Sequence, residues 1–410
     1  VGRVPEEQTS TIALVGGGPS ALVAAIALAR RRVRTTIFER DRHPGAAPRF
    51  NPDRSYTIDI SGHGLKAIRH IEAGPYFDRR MIPFKGLRLP DGRAAEWTLP
   101  GWTGSRGDIL RALMDLLDEK YRPWVACEFE TRVVAADVRT GELTLDSSTG
   151  GATRRVFDFV VGADGAGSVV RKAMVEQVPG FTVETGSHPN WCTMIELDRV
   201  ENRLDPHYLH GLAVRPFCVA GAIKGDDGSA APRWFCAVGT KEKQTFASAD
   251  DARRYFRERV PRVLELTSDD KVAAFADRPC YHIGQTLRCS QLHGGKAALL
   301  GDAAEAFPPI GQGVNAAMES AITLDRCIGE TGDDAAQLLE AARLYSERWK
   351  PEADAVAWMA IRSLFENRLH MLRASLAGKL GISIFEEAKS AEVPWSEVQR
   401  KAKRRWPLWI

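Results

Sequence analysis

The chain has 410 residues, 44% hydrophobic and 27% charged, which is enough for two lobes or one large domain carrying an insertion. Its net charge of +3 is scattered along the sequence, so charge alone gives no nucleic-acid footprint. Seven cysteines, an odd number with no Cys-x-x-Cys pair, argue against a zinc site and a disulfide framework.

Residues 12–15, Ile-Ala-Leu-Val, form a short apolar run that stops at Gly16-Gly17-Gly18-Pro19-Ser20-Ala21. Such a run, followed at once by glycines, predicts a buried parallel strand and its turn. A helix follows to about residue 32, then a second strand, TTIFER, completing one βαβ unit. Here Gly16 makes the tight turn, and Gly18 lets backbone N–H groups approach a pyrophosphate at the positive end of the helix. Ala21 is small enough for the helix to lie on the sheet. Glu39, followed by Arg40, ends the second strand about 20 residues on, where an acid accepts hydrogen bonds from a ribose diol. Arg30, Arg31, Arg32 and Arg34 close the helix, where cations suit the negative end of its dipole.

Further along, FDFVVGADGAGSVVRKAM (157–174) is another apolar strand, leading to Asp164-Gly165. From about 178 to 275, the segments WCTMIELD, GLAVRPFCVAGAI and RWFCAVGT predict an antiparallel sheet. KAALLGDAAEAFPPIGQGVN returns to the strand-then-turn style of the N-terminus, and nearly everything after residue 335 is helical in pattern. The basic, Trp-rich end KAKRRWPLWI (401–410) is expected to dock as an amphipathic tail on its own domain. The predicted fold class is α/β. A Rossmann-like nucleotide-binding domain is assembled from residues 9–85, 104–177 and 278–333. A substrate-binding β-sheet domain takes 86–103 and 178–277, and 334–410 form C-terminal helices.

Three motifs in this order, the glycine fingerprint, Asp164-Gly165, and Gly301-Asp302 leading to GQGVN, resemble those of the class A flavoprotein aromatic hydroxylases, the one-component FAD monooxygenases. The likeness spans about residues 11–330. Within that family it runs to the kynurenine 3-monooxygenase group. Arg54-Ser55 before TIDIS resembles that group's pocket strand, and Arg106 matches an Arg opening a helix beside the cofactor. LDPHYLH (204–210) places His210 in the substrate domain.

The resemblance implies bound FAD, with NADPH or NADH as a transient co-substrate and O2 as oxidant. A flavin C4a-hydroperoxide would hydroxylate an electron-rich aromatic ring. Cofactor residues would be Gly16, Gly18, Pro19, Ser20, Ala21, Glu39, Arg40, Arg106, Asp164, Asp302, Gly311, Gln312, Gly313, Val314 and Asn315. Asp302 would accept from a ribityl hydroxyl. Gly311, Gln312, Gly313 and Val314 would open a helix whose unpaired N–H groups face the negative charge of the reduced flavin. Pro308, Pro309 and Gly311 would form the flavin and oxygen pocket. Arg54 would pair with a substrate carboxylate, flanked by Tyr56 and His210.

Four features depart from the family pattern. Glu305 stands where a His is usual, and the loop after it is one residue shorter. Segment 355–371 lacks the group's Asn-Tyr-x-x-Met signature, and Leu212 replaces a Trp. Arg362, Glu366 and Asn367 within that segment are read on one helix, the first two spaced for a surface ion pair. The same cradle also suits a flavin oxidase or reductase acting on a non-aromatic substrate, or a non-catalytic FAD-binding protein. A flavin halogenase shares the fold, but its Trp-x-Trp-x-Ile-Pro signature is missing. No apolar run reaches the roughly 20 residues needed to span a bilayer, so a soluble, cytoplasmic protein is expected, with the oligomeric state open.

Overall fold

The computed structural model describes residues 11–53, 56–147, 151–225, 231–364, 372–373, 376–377, 383–390 and 392–405. The first βαβ unit forms as its sequence dictates. Ile12–Val15 and Phe159–Gly162 are buried at every position, because a parallel strand covered on both faces must be apolar throughout. They are neighbours in a six-stranded sheet whose order is His293–Gly294, Ala297–Leu299, Phe159–Gly162, Ile12–Val15, Thr35–Phe38, Val125–Glu128. All its pairs are parallel except the edge hairpin His293–Gly294 with Ala297–Leu299. Two of the predicted strand ends, Val15 and Gly162, lie directly opposite each other. The Asp-Gly turn therefore lies beside the glycine fingerprint.

The second sheet has eight strands, in the order Tyr281–His282, Trp191–Leu197, Arg233–Thr240, Phe217–Ile223, Tyr208–Ala213, Ile82–Arg88, Ala94–Gly104, Ile58–Ile60. It is antiparallel except where Tyr208–Ala213 runs alongside Ile82–Arg88. The segment GLAVRPFCVAGAI, read as one strand, is instead the turn of a hairpin. Tyr208–Ala213 and Phe217–Ile223 pair across it, because Pro216 has no N–H to continue a ladder. Strands Ile58–Ile60 and Ile82–Arg88 belong to this sheet and carry the chain between the two layers. Helices Ala249–Arg259, Pro261–Glu265 and Asp269–Ala276 pack on it through Phe256, Val263, Val272 and Phe275. Another small apolar cluster holds Phe50, Cys192, Met194, Ile223 and Phe235.

Long helices close the structure. Gly313–Thr331 lies against the fingerprint helix Pro19–Arg30, and Ala335–Arg362 opens with an Asp334/Gln337 capping box. Of the arginines that close the fingerprint helix, Arg31 serves that packing. Arg31 donates to Asp325 at 2.6 Å, and His70 reaches the same carboxylate at 2.7 Å. Just before the tail, Trp395 and Val398 are buried and the Trp395 ring stacks on His63 at 3.8 Å; within 401–405 Ala402 is buried and residues 403–405 are exposed. Residues 406–410 lie outside the described residues, as do Glu366 and Asn367; Arg362 lies 4.2 Å over the Trp358 ring. Among the described residues, no helix is long and apolar enough to cross a membrane.

Candidate functional site: a dinucleotide cradle between two sheets

The site begins at Gly16, whose φ of +98° is open to glycine and strained for other residues. A Cβ there would stand 2.6 Å from the Ala163 carbonyl oxygen, so the bare backbone lets the two neighbouring strand ends cross. Gly18 is the N-cap of Pro19–Arg30, and no side chain caps that helix. Its first N–H groups are therefore unspent. The closest group to a Cβ on Gly18 would be the Arg106 guanidinium, at 3.8 Å. A helix N-terminus and an arginine thus stand side by side, as a pyrophosphate requires.

Glu39 accepts the Gly17 N–H at 2.5 Å and the Asp41 N–H at 2.8 Å. Its carboxylate is held at the fingerprint turn with lone pairs left for a diol. Arg40 beside it is exposed. Ser20 and Ala21 are buried and hold the helix to its neighbours; a Cβ on Gly301 would lie 3.4 Å from Ser20 Oγ. Asp164 accepts the Val169 N–H at 2.7 Å through Oδ2, while its buried Oδ1 has no partner among the described residues. Burial pushes its carboxyl up.

The second half of the cradle starts at the 3-10 turn Gly301–Ala303. Asp302 and Tyr56 have accessible side chains, yet desolvation raises the pKa of both, Tyr56 well up. Groups that solvent reaches while protein surrounds them line an internal hollow. The Arg106 charge opposes the shift of each, while Asp302, Cys192 and Asp59 add to that of Tyr56. The hollow therefore lies between the Asp302 turn of the parallel sheet and the strands of the larger sheet.

Pro308 is buried and Pro309 half-buried, leading to Gly311 with φ +77°. The helix Gly313–Thr331 has no side-chain cap, and a Cβ on Gly313 would meet nothing within 4 Å. Buried Gln312 Nε2 has no acceptor among the described residues. Val314 is half-buried. Asn315, expected at the cofactor, is instead spent on the protein. Its Nδ2 donates to the carbonyls of Asp59 at 3.1 Å and Gly311 at 3.2 Å, and its Oδ1 accepts the Ser61 N–H at 3.3 Å. It fixes the loop that the neighbouring N–H groups belong to.

One departure, Glu305, has a physical account. Glu305 lies on Glu305–Ala306, opposite Arg288, and is 4% exposed, with neither oxygen bonded among the described residues. Both nearby cations are committed elsewhere. Arg288 donates to Asp354 at 2.7 Å, and Lys350 bonds the same carboxylate. Burial, with Asp354 adding to it, pushes the Glu305 carboxyl up to about 8, so it is a neutral acid at pH 7. His210 is also taken up by the fold. Its Nε2 bonds the Asp205 carbonyl at 2.9 Å, and it lines an outer groove with Arg88, Arg203 and Arg262. Arg54 lies outside the described residues.

Sequence reasoning passed over Asp59, Ser61 and Lys389. A Cβ on Gly311 would stand 3.1 Å from Asp59 Oδ1 and 3.6 Å from Lys389 Nζ. An acid in the apolar strand TIDIS was the available signal, because a buried carboxylate needs a reason.

The open helix ends, the unpartnered Asp164 and Gln312 atoms, and Asp302 in the hollow fit a dinucleotide of the FAD type. A family profile described as FAD binding domain matches residues 104–360, and the chain belongs to that family. A second profile, NAD(P)-binding Rossmann-like domain, matches residues 14–79. Fold, cradle and family together define a flavoprotein monooxygenase dependent on FAD. The chain is 28% identical over 377 residues to kynurenine 3-monooxygenase of Candida albicans, covering 88% of this chain and 81% of the relative. The Salinispora tropica enzyme of that name is 26% identical over 423 residues, covering 96% and 91%. Among solved structures, Klebsiella pneumoniae HpxO complexed with FAD and uric acid superposes with TM-score 0.67 at 20% identity, covering 93% and 97%. The tetrameric 2-methyl-3-hydroxypyridine-5-carboxylic acid oxygenase does so with TM-score 0.67 at 19% identity, covering 88% and 94%.

Proposed function

We propose that this enzyme hydroxylates a small aromatic substrate bound in the hollow between Asp302 and the eight-stranded sheet, using FAD, NAD(P)H and O2. The observation that carries the reading is Tyr56, an accessible side chain that feels the charges of the cradle residues Asp302 and Arg106 and also that of Cys192. Cys192 belongs to the cluster with Phe50, Met194, Ile223 and Phe235, an apolar wall suited to a planar ring. Bound FAD supplies oxygen activation and accepts the hydride of NAD(P)H.

The chain's own residues bind, orient and exclude water. Gly18 and the first turn of its helix hold the pyrophosphate with Arg106, and Glu39 holds the adenosine ribose. Asp302 accepts from the ribityl chain, while Gly311, Gln312, Gly313 and Val314 present N–H groups to the ring. Pro308 and Pro309 stiffen the loop beside it, so that the acceptor ring is held without loop motion. Arg54 supplies the cation for a substrate carboxylate. The relatives named for kynurenine point to aryl-amine or kynurenine-like compounds as the substrate class. The altered segment 355–371 and Leu212 favour a different aromatic acid within it.

Asp302→Ala is expected to weaken FAD binding roughly 10–100-fold, the loss of one charge-assisted hydrogen bond. Flavin fluorescence titration of apoprotein measures it. Arg54→Ala is expected to raise the substrate concentration needed to stimulate NAD(P)H oxidation while FAD stays bound. Wild-type protein that takes up no FAD would refute the reading. Uptake of FAD with no substrate-stimulated NAD(P)H consumption across anthranilate-, kynurenine- and indole-type compounds would move it toward an oxidase or reductase.

A further inference from the structure

We propose that Lys389, steadied by Asp59, is the counter-cation for the negative charge that bound FAD acquires on reduction. The proposal rests on the placement of the flavin ring at Gly311–Val314 given above. Both groups converge on Gly311: a Cβ there would stand 3.1 Å from Asp59 Oδ1 and 3.6 Å from Lys389 Nζ. That glycine has φ +77° and ends the turn that leads into the cradle helix. Asn315 ties its carbonyl and that of Asp59 together, so the glycine and the acid keep a fixed relation. Ser61 Oγ donates to Asp59 Oδ2 at 2.6 Å, which leaves Oδ1 on the Gly311 side.

The pair is open. Among the described residues, Lys389 Nζ makes no hydrogen bond or salt bridge, and the Asp59 charge supports its protonated form. Burial lowers the lysine's pKa and raises that of Asp59. Lys389 is half-buried, and a purely structural ion pair there would close to contact, because an unmet, partly desolvated ammonium is costly. An open pair beside an uncapped helix end is instead completed by an anion. Hydride transfer from NAD(P)H brings two electrons and one proton to the neutral ring and leaves NAD(P)+. The bound cofactor thus gains one negative charge, next to the turn where Lys389 waits.

On the lysine's own helix, Ile384–Ser390, Glu387 holds Lys401 at 2.9 Å, while burial raises the Glu386 carboxyl against the opposing charge of Arg93. Among the described residues Asp59 is the charge that acts on the lysine, while Asp302 and Arg106 act on Tyr56. Asp59 is therefore a positioning residue that keeps the lysine protonated.

The test is equilibrium reduction of the FAD-loaded protein against a reference dye. Lys389→Met is expected to lower the reduced-to-oxidised ratio at fixed potential about tenfold or more, about 30 mV for two electrons. Lys389→Arg should restore it. Asp59→Asn should favour reduction at neutral pH and lose that advantage as pH rises, because the unsupported lysine gives up its proton. A Lys389→Met protein with wild-type potential overturns the proposal. So does one that loses only substrate affinity at unchanged potential, which would make Lys389 a substrate cation. If Lys389→Met does not fold, a pH-independent potential offset in Asp59→Asn overturns it. Wild-type protein that binds no FAD would count against the proposed function instead.

Discussion

Replacing Gly16 by alanine is expected to give a protein that purifies without FAD and melts several degrees earlier. Two penalties add at this position. The φ of +98° costs an L-residue about 1–2 kcal/mol. The new Cβ would also meet the Ala163 carbonyl at 2.6 Å and Asp164 Cα at 2.9 Å. Both obstacles are backbone, so no rotamer change relieves them, and the two central strand ends must part. Parting them moves Gly18 away from Arg106 and breaks the pyrophosphate seat. Gly92→Ala is the control: its φ is +86°, but a Cβ there meets nothing within 4 Å, so only the backbone penalty remains. Flavin absorbance relative to protein, with Tm for both variants, separates the clash from the strain. Equal losses in the two would show that the Ala163 contact contributes nothing.

Glu305→Gln is expected to stabilise the protein increasingly as pH rises. The carboxyl's pKa moves from 4.5 to about 8 in the fold, chiefly through burial. Between those values the folded state keeps a proton that the unfolded state has released. Wild-type stability therefore falls with rising pH, by about 1.4 kcal/mol per unit, and levels off above about pH 8. Glutamine carries no such proton. The gap between variant and wild type should be near zero at acid pH and reach several kcal/mol at alkaline pH. Denaturant melts across that range read it directly, and a constant gap would show that the carboxyl is not held neutral. The cradle tolerates Glu305 because it enters the fold as an uncharged acid.

How far the sequence was legible follows from which interactions are local. The three central parallel strands, Ile12–Val15, Phe159–Gly162 and Ala297–Leu299, showed themselves as apolar runs, since burial on both faces leaves no polar position. The glycine fingerprint was readable because a tight turn and a close backbone approach demand glycine at fixed spacing. Strand pairing between Val15 and Gly162, however, joins segments far apart in the chain, and only that pairing puts Asp164 beside Gly16. Asn315 looked like a cofactor ligand by its place after GQG, but its partners are Asp59 and Ser61, which no local pattern reveals. His210 likewise sat in a matching motif and was claimed by its own loop.

The sequence by itself determined the α/β class, the dinucleotide turn, the order of the flavin motifs and the presence of an antiparallel insertion. Those features depend on backbone conformation and burial period, both written in neighbouring residues. The tertiary structure alone decided which charges face the hollow and which are neutralised elsewhere. It brought Lys389 of the C-terminal helix against Gly311, committed Arg288 and Lys350 to Asp354, and left Glu305 neutral. Electrostatics acts through space and depends on desolvation, so the charge state of this site is fixed only when distant segments meet.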